Sequence, residues 1–391
     1  MNFREIVIRT FQRKSIDRIV WQPRLCYWYN GNQVSKLPGE LRQKDQKGLV
    51  GNSTIYRGVI STRPYPRVPD EYRGKSVIGV HDLLNASVRY AGEGAGVNVF
   101  GTRIDPDAGI SSETFEQDGS SITITKTPVG NLQTVGRLGY PAEFPVKNPK
   151  DCKIMKYIMD NTDFYFDEDA FKYADEVFGD RGTVQSFFSR APFQRMIVEL
   201  MGAKNFFMQL HRHREEIESF MDDIAVWEDR IYDVLVKCPL EVLNFGENID
   251  ANLASPRFFE KYMVEYYNKR VRQLHRAGKF CHIHIDGAIR PLLPLLHLVE
   301  FDGIEAATPK PQGDVEIDEL KEGLGDKILL DGIPAVLFIP VYTRDQLREF
   351  TLQVLDTFSP NLILGVSDEL PPTADIRMME LVSEIVEKFE P

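Results

Sequence analysis

Polar residues recur at the ends of short apolar segments in the second half of the chain. The segments read VLNFGEN, KFCHIHID, GIEAATP and LILGVSD, and a helical pattern follows each except where a Pro-rich turn intervenes. This order of strand, polar terminus and helix is typical of a (β/α)8 barrel, in which all parallel strands end at one face. We therefore expect five polar side chains to converge on the mouth of such a barrel: Glu247, His284, Asp286, Glu305 and Asp368.

The composition fits one large α/β domain. The chain has 391 residues, of which 42% are hydrophobic and 27% charged, enough to bury the core of a single TIM-type barrel over residues 1–391. The formal net charge of -11 argues against nucleic acid or an anionic membrane as the main partner. No membrane span or secretory leader is recognisable, so we expect a cytoplasmic protein. Four cysteines without CxxC spacing are expected to be reduced and mostly buried: Cys26, Cys152, Cys238 and Cys281.

The N-terminal third follows a less regular pattern. A helical pattern from Phe3 to Gln12 leads into a first strand, IVWQPRL, and the residues that follow are rich in Gly, Pro, Arg and Tyr. We interpret residues 30–150 as an elaboration over the barrel mouth. Within them, Asp118 and Gly119 have the turn chemistry that favours positive φ and predict a β-hairpin. Its two strands are Glu113–Gln117 and Ser121–Lys126.

The alternation of strands and helices becomes regular after this elaboration. The pattern predicts a strand at Thr183–Ser189 and a long helical stretch from Phe206 to about Val236. A further helix begins after Ser255 and reads SPRFFEKYMVEYYNKRVRQLHRAG, with Pro in its first turn and Gly278 closing it. Four strand and helix units then fill residues 240–391.

Several of these segments resemble a known family. The first strand after IDR, the stretch SPRFFEKYMVEYYNKRVRQLHRAGKFCHIHIDG, the following FDGIEAATPKPQGDV and the closing LILGVSDELPPTADIRMMELV are similar to the uroporphyrinogen decarboxylase superfamily, and within it to cobamide-dependent methyltransferases. The resemblance covers residues 180–391, is thinner over 1–30 and is poor between 30 and 150. It implies a TIM-type barrel with a ligand pocket at the C-terminal face of the strands, in agreement with the placement of the polar residues.

The resemblance also implies an activity. A cobamide-dependent methyltransferase moves a methyl group from a small-molecule donor to the Co(I) corrinoid of a partner protein. An Asp-x-His-x-x-Gly corrinoid signature is missing here, so the corrinoid is expected to arrive on another protein. Two alternatives stay open: a tetrapyrrole decarboxylase and a non-catalytic binder of corrinoid or haem. The decarboxylases carry an Arg-Gln-Ala-Gly-Arg stretch where this chain reads PRLCYWYNG and keeps only Arg24.

A metal site is implied by the methyltransferase branch, where a His-x-Cys pair and a later Cys hold zinc. By position the histidine falls on His284, the first cysteine on Asp286 and the later cysteine on Asp368, while a glutamate that often contributes falls on Glu305. Both thiolates are thus replaced by carboxylates. We expect one divalent ion at His284, Glu305 and Asp368, with Asp286 either a further ligand or hydrogen-bonded to the ligands. Zinc is favoured, with Mn²⁺ or Fe²⁺ as alternatives, because such a set is harder than a thiolate one.

Structural roles are the alternative for the same residues. His284 on an alternating strand could be a hydrogen-bonded core histidine, and Asp368 could cap the next helix. His282 points to the same strand face as His284; it is a spare ligand candidate, although a core layer one step deeper suits it better. His211 and His213 are interpreted as a solvated helix surface.

The remaining candidates concern substrate and proton transfer. Glu247 or Asp286 is the candidate proton donor to the leaving group. Aromatic residues near the first strand end favour a flat apolar ligand at the mouth, and with the altered Arg stretch they point to a methoxylated aromatic methyl donor; an aromatic cluster at the barrel bottom is the other interpretation. The candidate substrate-binding residues are Trp21, Arg24, Tyr27, Trp28, Asn248 and Asp250.

Overall fold

The computed structural model describes residues 1–37 and 67–391. Within these residues the chain forms twelve β-strands. The longer strands of the parallel sheet carry the near-continuous apolar runs of strands buried on both faces, whereas Ser111–Gln117 is exposed along its whole length. The strands are β1 (Val20–Trp21), β2 (Phe100–Ile104), β3 (Ser111–Gln117), β4 (Ser120–Thr127), β5 (Gly130–Arg137), β6 (Tyr140–Glu143), β7 (Thr162–Phe166), β8 (Val242–Ile249), β9 (Phe280–Ile285), β10 (Gly303–Glu305), β11 (Ile328–Pro334) and β12 (Leu362–Ser367).

Fourteen α-helices lie between the strands in the same described residues. Several begin at a side chain that caps free backbone N–H groups, as Asn2 does for the first helix and Thr343 for the thirteenth. The helices are α1 (Phe3–Phe11), α2 (Cys26–Gly31), α3 (Val77–Leu83), α4 (Ala91–Gly94), α5 (Pro149–Asp160), α6 (Glu168–Phe178), α7 (Pro192–Arg195), α8 (Ala203–Arg212), α9 (Arg214–Leu235), α10 (Pro256–Phe259), α11 (Glu265–Arg276), α12 (Ile317–Leu324), α13 (Arg344–Phe358) and α14 (Ile376–Lys388).

A closed barrel organises the fold. Six strands form one parallel sheet in the order β1-β12-β11-β10-β9-β8. Two short extended segments, 87–91 and 185–187, join the two edges of this sheet, so eight segments surround one interior and the expected TIM-type barrel is confirmed. The joining backbone bonds run from Ser87 N to Trp21 O at 2.7 Å, from Gln185 N to Arg89 O at 3.0 Å and from Ala91 N to Gln185 O at 3.0 Å, and Phe187 pairs with Asn244 of β8.

The N-terminal end of the barrel is apolar and closed by α1. Inward-facing residues from the N-terminal ends of the strands form a small buried cluster with α1. This plug leaves the opposite, C-terminal end as the open mouth. The cluster contains Ile6, Val7 and Phe11 of α1 with Val20, Val242, Ile328, Leu330 and Ile363 of the strands.

The region between the second and third barrel segments holds an inserted antiparallel sheet. Strands β3, β4, β5 and β6 form a four-stranded meander that packs on α5. The predicted hairpin is confirmed: Asp118 has φ of 50° and Gly119 has φ of 71°, the positive values of a two-residue turn. The predicted elaboration 30–150 therefore contains both this insertion and the barrel segment at 87–91. Its portion 38–66 lies outside the described residues.

Other expectations can be compared directly. The first helix is confirmed, whereas the long helical stretch is two helices, α8 and α9, separated at His213, where φ of -135° and ψ of 47° interrupt the helix. His211 and His213 are exposed, as expected. All four cysteines are free thiols, and three of them are buried. No helix of residues 1–37 and 67–391 is both long and apolar enough to span a bilayer.

The plug under the barrel yields a stability prediction. Phe11 is 2% exposed, and its ring centroid lies 5.7 Å from that of Phe280. Phe11→Ala should lower the free energy of unfolding by about 3–5 kcal/mol, because it leaves a cavity in a closed core. Urea denaturation measures this change. Phe115→Ala, at a phenyl ring 42% exposed on the meander, is the matched control and should cost no more than about 0.5 kcal/mol. Equal losses in both variants would show that α1 does not seal the barrel.

Candidate active site

His284 and Glu305 lie side by side at the mouth because β9 and β10 are paired in register. Nδ1 of His284 is 2.7 Å from Oε2 of Glu305, and both side chains are almost completely buried. Glu305 also accepts hydrogen bonds from Asn244 Nδ2 at 2.6 Å, from Arg89 and from the hydroxyl of Tyr90. The carboxylate is thus surrounded by donors from three barrel segments: β8, β9 and the segment that holds Arg89 and Tyr90.

Charge and hydrogen bonding shift the pKa values of this pair. Burial lowers the pKa of His284, but the hydrogen bond and the charge of Glu305 outweigh burial and raise it to about 9. Burial raises the pKa of Glu305, yet the bond to His284 and the charge of Arg89 hold it well below its usual range. Without a further ligand, the pair is therefore an imidazolium and a carboxylate at neutral pH.

Arg89 links Glu305 to the opposite wall of the barrel. Its guanidinium forms an ion pair with Asp331 at 2.9 Å and donates from Nε to Gln22 Oε1 at 2.8 Å. Burial raises the pKa of Asp331 to about 7 despite the charge of Arg89. His282, one layer deeper, is 3.0 Å from Gln185 Oε1, and burial lowers its pKa to about 3. His282 is therefore a neutral core histidine, as expected.

The other ring nitrogen of His284 points towards Asp368, which lines a pocket at the mouth. Nε2 is buried, has no hydrogen-bond partner among the described residues and lies 3.8 Å from Asp368 Oδ1. Arg24 donates to the same carboxylate and also bonds Glu93 at 2.8 Å and Glu369 at 3.0 Å. A pocket of about 420 Å³ opens beside Asp368. Its lining residues are Asp286, Gly287, Ala288, Thr308, Gln312, Gly313, Asp314 and Asp368.

The mouth gathers more carboxylates than cations. Burial raises the pKa of Asp286, and burial together with the charge of Glu93 raises that of Glu369 well above its usual range. Each shift is the response of a buried acid that lacks sufficient compensating charge. A cation in the pocket would supply that charge. The carboxylates are Glu93, Asp286, Glu305, Asp331, Asp368 and Glu369, and the cations are Arg24, Arg89 and His284.

The geometry divides the four expected metal-site residues into two groups. Asp286 and Asp368 line the pocket, and Nε2 of His284 points towards Asp368, whereas Glu305 contacts the opposite nitrogen of the imidazole. A single ion on one ring nitrogen cannot reach both Glu305 and Asp368 with the ring in this orientation. The carboxylate of Glu305 therefore lies behind His284, in the place of a group that orients a metal-binding histidine.

The aromatic wall of the mouth is built from other residues than the sequence suggested. Trp21 and Trp28 are packed in the core, each at most 2% exposed, so neither offers a surface to a substrate. Alternation along the chain explains the position of Trp21, because Val20 and Gln22 on either side of it face inward and Trp21 faces the helices. Instead, Phe187 is 38% exposed and stacks on Tyr90 with ring centroids 4.3 Å apart. Tyr27 is half-buried, and its backbone N–H donates to Glu369 at 3.2 Å.

The expected residues on β8 do not join the cluster. Glu247 is fully buried and accepts from the backbone N–H of Ala191 at 2.8 Å; alternation along β8 places it on the outer face of the barrel, while Asn244 faces inward. Asn248 is exposed beside Arg190, 3.4 Å from its guanidinium. Asp250, just beyond the end of β8, accepts from the backbone of Asn252 at 2.7 Å; its carboxylate also lies against Gly287 of the pocket, and its charge contributes to the raised pKa of Asp286. Glu247, which we expected to be a proton donor, therefore does not contact the pocket.

Five residues of the site were not identified from the sequence: Arg89, Tyr90, Phe187, Asn244 and Asp331. Arg89 and Tyr90 belong to a barrel segment too short to show a strand pattern. Asp331 does carry a signal, since it is a lone charge in the apolar run ILLDGIP. Asn244 likewise interrupts VLNFG. A search for polar residues inside apolar strands, and not only at their ends, would have identified both Asp331 and Asn244.

One further group has metal-binding residue types but lies at the other end of β9. His275, Cys281 and Asp302 have ligand atoms within 4.8 Å of one another. Asp302 already accepts from the backbone of Cys281 at 2.7 Å and pairs with His275 at 2.9 Å, and burial holds the thiol pKa of Cys281 well above its usual range. We interpret this group as an ion-paired strand end.

Fold and site together define a TIM-type barrel protein with an acidic pocket at the carboxyl ends of its strands. The sequence profile of the family described as uroporphyrinogen decarboxylase (URO-D) matches residues 141–389, well over half of the chain. The protein belongs to this family. No curated protein sequence matches the chain.

Solved structures show similarity in fold. A methyltransferase from Methanosarcina mazei has a TM-score of 0.55 at 12% sequence identity, covering 100% of this chain and 99% of that chain. A B12-independent methionine synthase from Shewanella sp. W3-18-1 has a TM-score of 0.41 at 12% identity, covering 95% and 97%. A putative vitamin-B12 independent methionine synthase from Listeria monocytogenes has a TM-score of 0.38 at 13% identity, covering 56% and 67%. The first of these shows a shared fold over the whole chain.

The buried acid Glu247 should make stability depend on pH. Burial raises its pKa from 4.5 to about 8, although the bond from Ala191 opposes this shift. Between these values the folded protein holds a proton that the unfolded chain has lost. Its contribution is therefore fully present below pH 4.5, declines by up to about 1.4 kcal/mol per pH unit, and falls no further above pH 8.

Glu247→Gln removes this titrating group and should flatten the pH profile. We expect the variant to gain stability over the wild type progressively from pH 5 to pH 8, as measured by urea unfolding at pH 5, 7 and 9. Glu241→Gln, exposed beside the start of the same strand, is the control and should follow the wild-type profile. If the Glu247 variant also follows that profile, the carboxyl is not held protonated.

Proposed function

We propose that this protein is a corrinoid-dependent methyltransferase acting on a small methylated molecule. The observation that carries the proposal is the buried Nε2 of His284, which has no hydrogen-bond partner in the part of the chain that the structure describes and lies 3.8 Å from Asp368 at the open mouth. Membership of the family and a fold shared with a methyltransferase from M. mazei support it. The reduced corrinoid of a partner protein would supply the nucleophile that takes the methyl group.

The pocket residues fit a divalent metal ion. Zinc binds imidazole nitrogen and carboxylate oxygen at about 2.0–2.2 Å, so the distance between Nε2 of His284 and Oδ1 of Asp368 has room for an ion bonded to both. Asp286, in the same pocket, would be the third protein ligand, and the surplus of carboxylates compensates a dication. Since no thiolate is present, Mn²⁺ and Fe²⁺ suit the set as well. When bound, the ion supplies Lewis acidity towards the oxygen that leaves the methyl carbon.

The surrounding residues fix this arrangement and admit water. Arg24 holds Asp368, and Glu305 holds His284 from behind, so the two pocket-facing groups keep their separation. In the proposed transfer the bond between the methyl carbon and oxygen would break, with the methyl group going to the partner's reduced corrinoid and the electron pair staying on the oxygen. Because the pocket is open, water can protonate the leaving oxygen.

The exposed ring of Phe187 supports a flat, aromatic methyl donor. Phe187 and His284 both face inward near the mouth, and Arg24 lies 5.7 Å from the Phe187 ring centroid while contacting Asp368 beside the pocket. Gly246 makes this position possible, since a Cβ there would come within 2.6 Å of the ring. A donor ring stacked on Phe187 can direct its methoxy group towards His284 and Asp368. We therefore retain a methoxylated aromatic compound as the favoured donor, with Phe187 in place of Trp21 and Trp28.

The charge pattern disfavours a tetrapyrrole decarboxylase. Such an enzyme must pair several substrate carboxylates with cations. At this mouth Arg24 and Arg89 are already paired with carboxylates of the chain itself. A non-catalytic binder of corrinoid or haem would retain its ligand without turnover.

The substrate proposal predicts phenol release from methoxybenzenes. With free cob(I)alamin as acceptor, one phenol should form for each corrinoid methylated, as followed by chromatography and by the corrinoid absorption spectrum. Phe187→Ala should raise KM for the aromatic donor about tenfold, the equivalent of roughly 1.4 kcal/mol of stacking and burial. Phe115→Ala, at an exposed ring on the meander, should leave KM unchanged.

Two results would contradict parts of this proposal. Reaction of methanol, methylamines or methylthiols, but not of methoxyaromatics, would make the donor assignment wrong and leave methyl transfer intact. Turnover of the methyl donor by the isolated chain with no cobamide would exclude the corrinoid-dependent reaction itself.

The metal proposal predicts about one equivalent of a divalent ion per chain. Elemental analysis of protein purified without chelator should show it, with zinc expected. His284→Ala should lose most of the metal because the buried nitrogen ligand is removed. His275→Ala, in the ion-paired group at the other end of β9, should keep it. A wild-type protein that is fully active yet metal-free would disprove the metal site.

A further inference from the structure

Both oxygens of the Glu305 carboxylate are hydrogen-bonded. Oε2 faces Nδ1 of His284 at 2.7 Å and Asn244 Nδ2 at 2.6 Å, and Oε1 accepts from Arg89 and from the hydroxyl of Tyr90. A carboxylate has about four lone-pair directions, and all four are used by these donors. Glu305 therefore has no further lone pair for a metal ion unless one of these bonds breaks.

The donors themselves are fixed by the barrel. Tyr90 is 2% exposed and is covered by the ring of Phe187, while Asn244 donates to the Tyr90 hydroxyl as well as to Glu305. Arg89 is held by Gln22 at 2.8 Å. Since each donor is locked by its own packing or hydrogen bond, the position of the Glu305 carboxylate is set by the fold before any ligand arrives.

We propose that Tyr90 and Asn244 are positioning residues, which act through Glu305 to hold the His284 imidazole so that Nε2 faces the metal, and that Glu305 is not a metal ligand. This inference rests on the metal site of the proposed function. The physical reason is that a hydrogen bond at one ring nitrogen fixes both the tautomer and the orientation of the other nitrogen. Loss of a donor frees the carboxylate to turn and the imidazole with it.

The experiment measures Co²⁺ binding to the full-length, metal-depleted protein. Cobalt is a spectroscopic substitute for zinc, so one titration gives both affinity and the visible absorption bands that report the donor atoms. Tyr90→Phe removes one hydroxyl. Tyr72→Phe is the matched control, because Tyr72 is an equally buried tyrosine that donates to Glu380 at 2.9 Å away from the mouth.

We expect Tyr90→Phe to weaken Co²⁺ binding about 10-fold or more, within the range usual for groups behind metal ligands, and Tyr72→Phe to leave it unchanged. Glu305→Gln should weaken binding further without moving the absorption bands, since the donor atoms stay the same. Asn244→Ala provides a second test of the donors if Tyr90→Phe folds poorly.

The outcomes separate this inference from the proposed function. If wild-type protein binds Co²⁺ and the Tyr90 and Asn244 variants bind it equally well, the positioning role is wrong and the metal site stands. If Glu305→Gln shifts or removes the absorption bands, Glu305 is a ligand and the inference fails. If the wild type takes up no Co²⁺, the metal part of the proposed function fails together with this inference.

Discussion

The ion-paired carboxylate of Glu305 is the constraint on which the mouth of the barrel depends. A buried carboxylate without partners would be strongly destabilising, so the strands around it must supply donors: Arg89, Tyr90, Asn244 and His284. Four barrel segments are thereby fixed relative to one another at one depth. The same set of bonds leaves Nε2 of His284 pointing towards Asp368 at the pocket. Glu305 therefore both stabilises the mouth and orients the imidazole.

The two ends of the barrel have different roles: the N-terminal end contributes stability, and the C-terminal end holds the candidate active site. At the N-terminal end, α1 places Phe11 against the strands and fills the interior with apolar atoms. At the C-terminal end, the interior is polar and its charges are incompletely compensated, as the raised pKa values of Asp286 and Asp331 show. The protein tolerates these buried charges because the large apolar core between the barrel and the helices contributes enough stability to offset their cost.

Departure from the family pattern changes the expected chemistry of the pocket. Asp286 and Asp368 stand where resemblance places thiolates, and imidazole with carboxylates makes a harder donor set. In the proposed reaction, such a set would favour an oxygen leaving group over a thiol. The exposed ring of Phe187 above Tyr90 adds an apolar, planar surface to this otherwise acidic mouth, and this surface is the basis on which we propose a small aromatic ether as the methyl donor.

The sequence by itself determined the barrel and the convergence of His284, Asp286, Glu305 and Asp368 on one mouth. Strand periodicity is local, and parallel strands of a closed sheet end at one face, so these placements need no knowledge of contacts. Only the tertiary structure decided which atom meets which. The barrel is closed by a segment of a few residues, which carries no periodic signal of its own. Its closure determines which side of the His284 ring Glu305 occupies and brings Arg89 to the site. The direction of Glu247 likewise depends on the register along β8 rather than on its place at a strand end.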